Sequence, residues 1–216
     1  MKTKFSVVFI LFFIFNLTSQ ITNYRWHTYG KFSGGIIDTS IYFNGGLSAE
    51  FLLFKKWGLN YNLEFQHRTD KFNHLHGSIG SVGGPVIFGI GLVAGLANSV
   101  DGDTTNNSGI GVGGMLLGLV VLIIPDGISY HIPIGYKWDI SPYANFLGFD
   151  WIRNRKINYN EFKYACSVGI RGTYLLKDRF TLSCFLESRK SAPTGWGLGG
   201  GIGMGYLFKN RENNSN

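Results

Sequence analysis

The sequence predicts an all-β fold, an antiparallel up-and-down barrel of about eight strands that crosses a membrane with its apolar face outward. Three observations predict it. The stretch Trp196-Gly-Leu-Gly-Gly-Gly-Ile-Gly-Met-Gly-Tyr-Leu-Phe208 places Trp196, Leu198, Ile202, Met204, Tyr206 and Phe208 on one face, with Gly200 the one gap. Five glycines, Gly197, Gly199, Gly201, Gly203 and Gly205, share the other face. A period of two is that of a β-strand, and so large an apolar face suits lipid. Second, Phe162–Lys190 reads as a hairpin with polar residues on one side and apolar ones on the other. Third, 31 glycines in 216 residues, 16% aromatic and only 15% charged residues depart from soluble domains, which average about 7% glycine and about 25% charged.

Residues 1–19 read as a cleaved export signal. Lys2 and Lys4 supply the positive end, Phe5 to Phe15 an apolar run, and Leu17-Thr-Ser19 the small-residue cleavage site. The run is shorter than the roughly 20 residues of a membrane span. Removing it takes two lysines from the 20 basic residues and leaves 13 acids, a formal charge of +5. That excess is too dispersed for a nucleic-acid stripe and suits anionic headgroups or lipopolysaccharide phosphates. Residues 20–208 form the expected barrel, and 209–216 a polar C-terminal tail.

Taking the elements in order, odd positions from Ile37 to Leu53 are largely apolar, with Asp38, Ser40, Asn44, Ser48 and Glu50 between them. This is one long strand, or two joined by a turn at Asn44-Gly-Gly46. After Lys55-Lys-Trp-Gly58, Leu59, Tyr61, Leu63 and Phe65 alternate with Asn60, Asn62, Glu64 and Gln66. Val82–Ala97 is glycine-rich and suggests a strand. Ile110–Ile124 is also apolar and glycine-rich, and Met115–Ile124 within it is apolar on both faces, so a short helix in residues 110–124 is the alternative to a strand. The two segments flank the polar loop Asn98–Ser108. Ile128–Ile140 alternates again, and a bulge or interruption is expected at Pro133, which has no N–H for the ladder. Pro125-Asp-Gly127 is a turn signal.

In the hairpin, Phe162, Tyr164, Cys166, Val168 and Ile170 share one face, and Lys163, Ser167, Arg171 and Thr173 the other. Phe180, Leu182, Cys184 and Leu186 oppose Arg179, Thr181, Ser183, Glu187 and Arg189. A turn at Lys177-Asp-Arg179 puts Cys166 opposite Lys190, about 20 Å from Cys184. That rules out a disulfide, which needs Cα atoms within about 7 Å. If the last strand ends at the periplasm, the Lys177-Asp-Arg179 and Pro125-Asp-Gly127 turns lie there. Ser141–Glu161 and Ser191-Ala-Pro-Thr194 then form outward loops.

The signal peptide, the alternating hairpins and the closing Gly201-Ile-Gly-Met-Gly-Tyr-Leu-Phe208 resemble the small outer-membrane barrel proteins of Gram-negative bacteria, especially those of the Bacteroidetes type. In that resemblance Tyr206 and Phe208 match the C-terminal signal read by the barrel-assembly machinery. Here eight residues follow Phe208, whereas the usual signal ends the chain. The resemblance implies a monomer in the cell outer membrane, with lipid and lipopolysaccharide as partners. It names no ligand.

Candidate chemistry is sparse. Ser129 and His131 share the inner face, but Asp139, eight residues on, lies about 26 Å away on a regular strand, too far for a catalytic trio. His67, His74 and His76 flank Asp70 without a metal-ligand spacing. No enzyme activity, cofactor or metal is expected. Lys163, Arg171, Arg179, Glu187 and Arg189 form the expected barrel-interior network, with Arg171 paired to Glu187. An eight-stranded barrel barely holds its own side chains, which favours a filled interior over a polar passage. The five tryptophans near strand ends suit interfacial belts. The functions carried forward are a structural or accessory role at the envelope, a small-solute pore, a lipid-modifying enzyme using Ser129 and His131, or an inner-membrane protein anchored by residues 82–124.

Overall fold

The computed structural model describes residues 20–54, 56–100, 108–190 and 195–210. The expected signal peptide, the Ser191–Thr194 loop, residues 101–107 of the polar loop and the tail beyond 210 lie outside the described residues. Ten strands form one antiparallel sheet that closes on itself: β1 (Tyr24–Ile37), β2 (Ser40–Leu52), β3 (Trp57–Arg68), β4 (Phe72–Ser78), β5 (Gly127–Tyr130), β6 (Ile132–Ile134), β7 (Trp138–Asn154), β8 (Tyr159–Lys177), β9 (Phe180–Lys190) and β10 (Trp196–Asn210). β1 pairs with both β2 and β10, which closes the ring. β4 and β5 lie end to end in one lane between β3 and β7. The ring therefore has eight lanes, the expected number, reached by a different route.

Two strands escape the alternation pattern. β1 carries Thr28, Gly30 and Gly34 on its outward face, so its apolar signal is weak. β7 occupies the stretch expected as an outward loop, Ser141–Glu161. A bulge between Asn145 and Gly148 shifts its register, so its inward residues are odd-numbered before it and even-numbered after it. Conversely, β2 runs straight through Asn44-Gly-Gly46 with no turn. The chain turns instead at Asp38-Thr39, where Asp38 takes φ 54°, a left-handed backbone that Asp tolerates. The described turns are short at both ends of the barrel, and none is the long outward loop expected at Ser141–Glu161.

The middle segment is the largest correction. Lane four breaks after Ser78, about 20 Å from its start, and the chain leaves the barrel wall as a helical hairpin before returning at Gly127. A wide turn at Ile79–Gly83 leads into α1 (Gly84–Val100), and α2 (Ser108–Leu122) leads back. Val82–Ala97, whose alternation suggests a strand, is thus mostly helix, and the helix weighed for 110–124 is present. Ser78 and Ser81 cap the exit reciprocally: Ser81 N donates to Ser78 Oγ at 2.6 Å, and Ser78 N to Ser81 Oγ at 2.7 Å. Pro85 sits in the first helical turn, where its missing N–H costs nothing. The helices meet backbone to backbone on glycine. A Cβ on Gly91 would stand 2.5 Å from Met115 N, and one on Gly111 would stand 2.6 Å from Gly95 Cα. Such small-residue contacts are how helices associate in lipid. The outer faces are apolar all round, with Ile90, Val93, Val120 and Ile123 exposed. Residues Ile79–Leu96 are long and apolar enough to cross a membrane.

The return is not a strand-to-strand turn, as Pro125-Asp-Gly127 suggests, but a seam in the wall. Asp126 N donates to Asn60 O at 2.6 Å, and Asp126 O accepts from Phe146 N and Leu147 N at the β7 bulge. Its buried carboxylate accepts from Asn62 Nδ2 at 2.7 Å. The seam thus leaves no backbone group of Asp126 exposed to lipid, which offers no hydrogen bonds.

The wall is inverted relative to a soluble protein. Phe32, Leu47, Leu198, Ile202 and Met204 are exposed outside, while Glu50, Glu64, Arg68 and Arg189 are at most 2% exposed inside. Outward aromatic pairs ring both ends: Trp26–Phe51, Trp57–Tyr130 and Trp138–Tyr174 at the end where β1 starts, and Trp151–Phe162 at the other. This is the transmembrane arrangement. Ile21, Tyr24, Leu175 and Leu207 form a small buried cluster under the first of these ends.

Candidate functional site in the barrel lumen

The lumen is filled by ion pairs that span it. Arg171 Nη2 on β8 reaches Glu50 Oε2 on β2 at 2.7 Å, and Arg189 Nη2 on β9 reaches Glu64 Oε2 on β3 at 2.5 Å. Each pair joins strands four lanes apart, which is the full diameter of an eight-lane ring. Lys31 also pairs with Glu64, and Glu187 binds Arg189 at 2.9 Å and accepts from Tyr143 Oη at 2.9 Å. Arg171 further donates to Tyr29 Oη at 2.6 Å and lies over its ring.

Of the residues expected in the interior network, Arg171, Glu187 and Arg189 lie in the lumen. Arg171 is a diagonal neighbour of Glu187 by register, but it pairs with Glu50. Lys163 has the inward phase yet sits at the barrel mouth, 42% exposed and paired with Glu161 at 2.5 Å. Arg179 lies in the exposed β8–β9 turn and donates to Tyr206 Oη at 3.5 Å. Tyr206 and Phe208 pack on each other on β10, outside the lumen. Glu50, Glu64 and Lys31 are the charged partners missing from the expected network. The first two were legible as inward positions of alternating strands, but alternation alone names no partner.

A second cluster lies where β6 turns back into β7. The expected distance from His131 to Asp139 fails because the chain reverses at 135–137, where Gly135 adopts φ 78°. Pro133 pairs with Asp139 in the resulting hairpin, and β5 and β6 are interrupted at His131. His131 Nδ1 stands 2.8 Å from Asp139 Oδ1, and its Nε2 3.1 Å from Glu50 Oε1. Ser141 donates to Asp139 at 2.5 Å, and Ser129 donates to Glu50. Both imidazole nitrogens face carboxylates, and both hydroxyls have carboxylate acceptors. A serine nucleophile needs a ring nitrogen free to take its proton, so this constellation braces the wall.

The histidines flanking Asp70 separate. His74 and His76 point inward and share Asp150 at 3.3 and 2.8 Å, whereas His67 is outside, bonded to Asn73 at 2.9 Å. Among the described residues no group of three or more His, Cys, Asp or Glu could hold a metal. Asp70 itself is in the β3–β4 turn. Partial burial opposes its ionisation, but the N–H groups of Phe72 and Lys71 and the Arg68 guanidinium outweigh this and lower its pKa.

Little space remains. The gap lined by Tyr29, Lys31, Tyr143, Arg171 and Phe185 holds about 10 Å³, the lower limit for one water. The glycines of β10 do not empty the wall. Gly197 receives Ile37, Gly199 receives Tyr42, Gly201 receives Phe185, and Gly205 receives His27.

No protein-family model matches the sequence, and no curated protein matches it. Among solved structures, Neisserial surface protein A is similar over 85% of this chain and 96% of its own, at 6% identity and a TM-score of 0.49. The attachment invasion locus protein Ail of Yersinia pestis is similar over 85% and 97%, at 10% identity and 0.43. The outer membrane protein OprG from Pseudomonas aeruginosa is similar over 88% and 99%, at 8% identity and 0.45. At these values the likenesses assign no function to this chain.

Proposed function

We propose that this chain is an outer-membrane barrel with a closed lumen and a structural or accessory role at the cell envelope, without catalysis. In this reading residues 1–19 are a cleaved export signal of a Gram-negative cell, and the resemblance to the Bacteroidetes type rests on the sequence pattern. Tyr206 and Phe208 serve recognition by the assembly machinery, and the barrel acts as a monomer among lipid and lipopolysaccharide. The end where β1 starts faces the periplasm. The single observation that carries the reading is the pair of ion pairs across the lumen, Arg171–Glu50 and Arg189–Glu64, which occupy the space a pore would need. The same observation disfavours the small-solute pore, and the engaged His131 disfavours the lipid-modifying enzyme.

Two measurements test it. The membrane-fractionated protein, run unboiled and boiled, should sit in the outer membrane and migrate faster before heating. In a planar bilayer the refolded protein should give no single-channel steps. Regular conductance steps would establish the pore instead, and an unshifted band in the inner membrane would establish a helical anchor.

A further inference from the structure

The outward face of the wall is not uniformly bulky. Strand pairing sets Tyr206, Thr28, Ala49 and Tyr61 side by side on β10, β1, β2 and β3. Thr28, Ala49 and, one step along, Gly30 form a low floor, and Tyr206 and Tyr61 stand at its sides. Ser81, at the root of the helical hairpin, closes the hollow above. Its volume is about 670 Å³, several times the roughly 150 Å³ that holds one benzene, so an acyl chain fits. A Cβ on Gly30 would meet nothing within 4 Å, which confirms that the floor opens outward.

The hollow ends beside a cation. Phe180, which also lines it, follows Arg179 directly, and Arg179 reaches the rim through Tyr206 Oη at 3.5 Å. Among the described residues Arg179 makes no ion pair with a carboxylate. An unpaired guanidinium at the aromatic girdle is placed where lipid phosphates lie.

We propose that this hollow is a binding site for one anionic phospholipid, with an acyl chain over Thr28, Gly30 and Ala49 and the phosphate on Arg179. Phosphatidylcholine would bring its choline cation beside the guanidinium together with its phosphate, which disfavours it against an anionic headgroup, and a free phosphate would leave the hollow unused. The site rests on the barrel's membrane face, so barrel and lipid are read separately.

The full chain is purified in mild detergent with dioleoyl phosphatidylglycerol or dioleoyl phosphatidylcholine and analysed by native mass spectrometry. The heat-dependent gel shift of each variant reports the barrel. Wild type should hold one phosphatidylglycerol in preference to phosphatidylcholine. Gly30→Leu raises a bulky side chain on the floor where the acyl chain lies, and should bind it about tenfold more weakly with the gel shift intact. Arg179→Gln should still hold a lipid but lose the preference. Lipid counts that rise without a step at one, a Gly30→Leu variant that binds like wild type, or an Arg179→Gln variant that keeps the preference would each overturn the site.

Discussion

Arg171 and Glu50 meet at 2.7 Å from strands on opposite sides of the barrel, both at most 2% exposed. Breaking a buried pair by removing one partner leaves an uncompensated charge, which costs about 3–5 kcal/mol. Arg171→Met should therefore lower stability by about that amount in urea titrations of lipid-refolded protein. Glu50→Gln combined with Arg171→Met should cost less than the two single losses added together. Strict additivity would show that the pair is not coupled.

The lipid-facing assignment of β8 makes Val168, 49% exposed, a position for apolar residues only. Val168→Arg should cost about 2–4 kcal/mol near mid-membrane, while Val168→Leu should be near neutral. A harmless arginine there, measured by the same titration, would mean the strand is turned the other way.

Register offers a chemical test. Cys166 faces Lys190 and Cys184 faces Gly172 across the β8–β9 ladder, so the two native thiols stay apart and both are free. Oxidised wild type should show no disulfide by mass. Gly172→Cys, whose Cβ would lie 3.5 Å from Cys184 Sγ, should form one with Cys184. A bond between Cys166 and Cys184 would refute the ladder.

The helical hairpin depends on which glycine is touched. Gly114→Leu forces a side chain against Gly91 Cα, 2.9 Å from the new Cβ, and overpacking of this kind costs about 1–3 kcal/mol. Spin labels at Ile90 and Leu119 should move apart in that variant. Gly113→Leu, with nothing within 4 Å, should leave their distance unchanged.

How much of this was legible in the sequence follows from which interactions are local. Alternation with period two is a property of each strand alone, so the apolar exterior, the inward phase of Glu50, Glu64, Arg171 and Arg189, and the barrel class can be read from residues in a row. The β8–β9 register from Leu175 back to Cys166 was also legible, although the turn itself is Asp178-Arg179, with Lys177 opposite Phe180 and a bulge at Leu176 that restores the expected offset. The alternation of β7 was hidden by one bulge, since a single extra residue inverts every later position. A reversal at Gly135 hid the approach of Asp139 to His131.

The remaining features belong to the closed ring. Arg171 finds Glu50 rather than Glu187 because closure brings β8 opposite β2, a relation with no trace in local spacing. The helix pair α1 and α2 is decided the same way. Its apolar, glycine-rich residues suit a strand or a helix in lipid equally well, and the choice falls to helix because β4 and β5 already fill lane four between β3 and β7. In lipid a segment without a strand partner must satisfy its own backbone hydrogen bonds, and a helix does so. Local alternation is enough to specify a barrel with lipid outside and charge inside. Which charges neutralise one another, and where the wall opens to release a helix pair, are fixed in three dimensions, because both depend on residues brought together by closure.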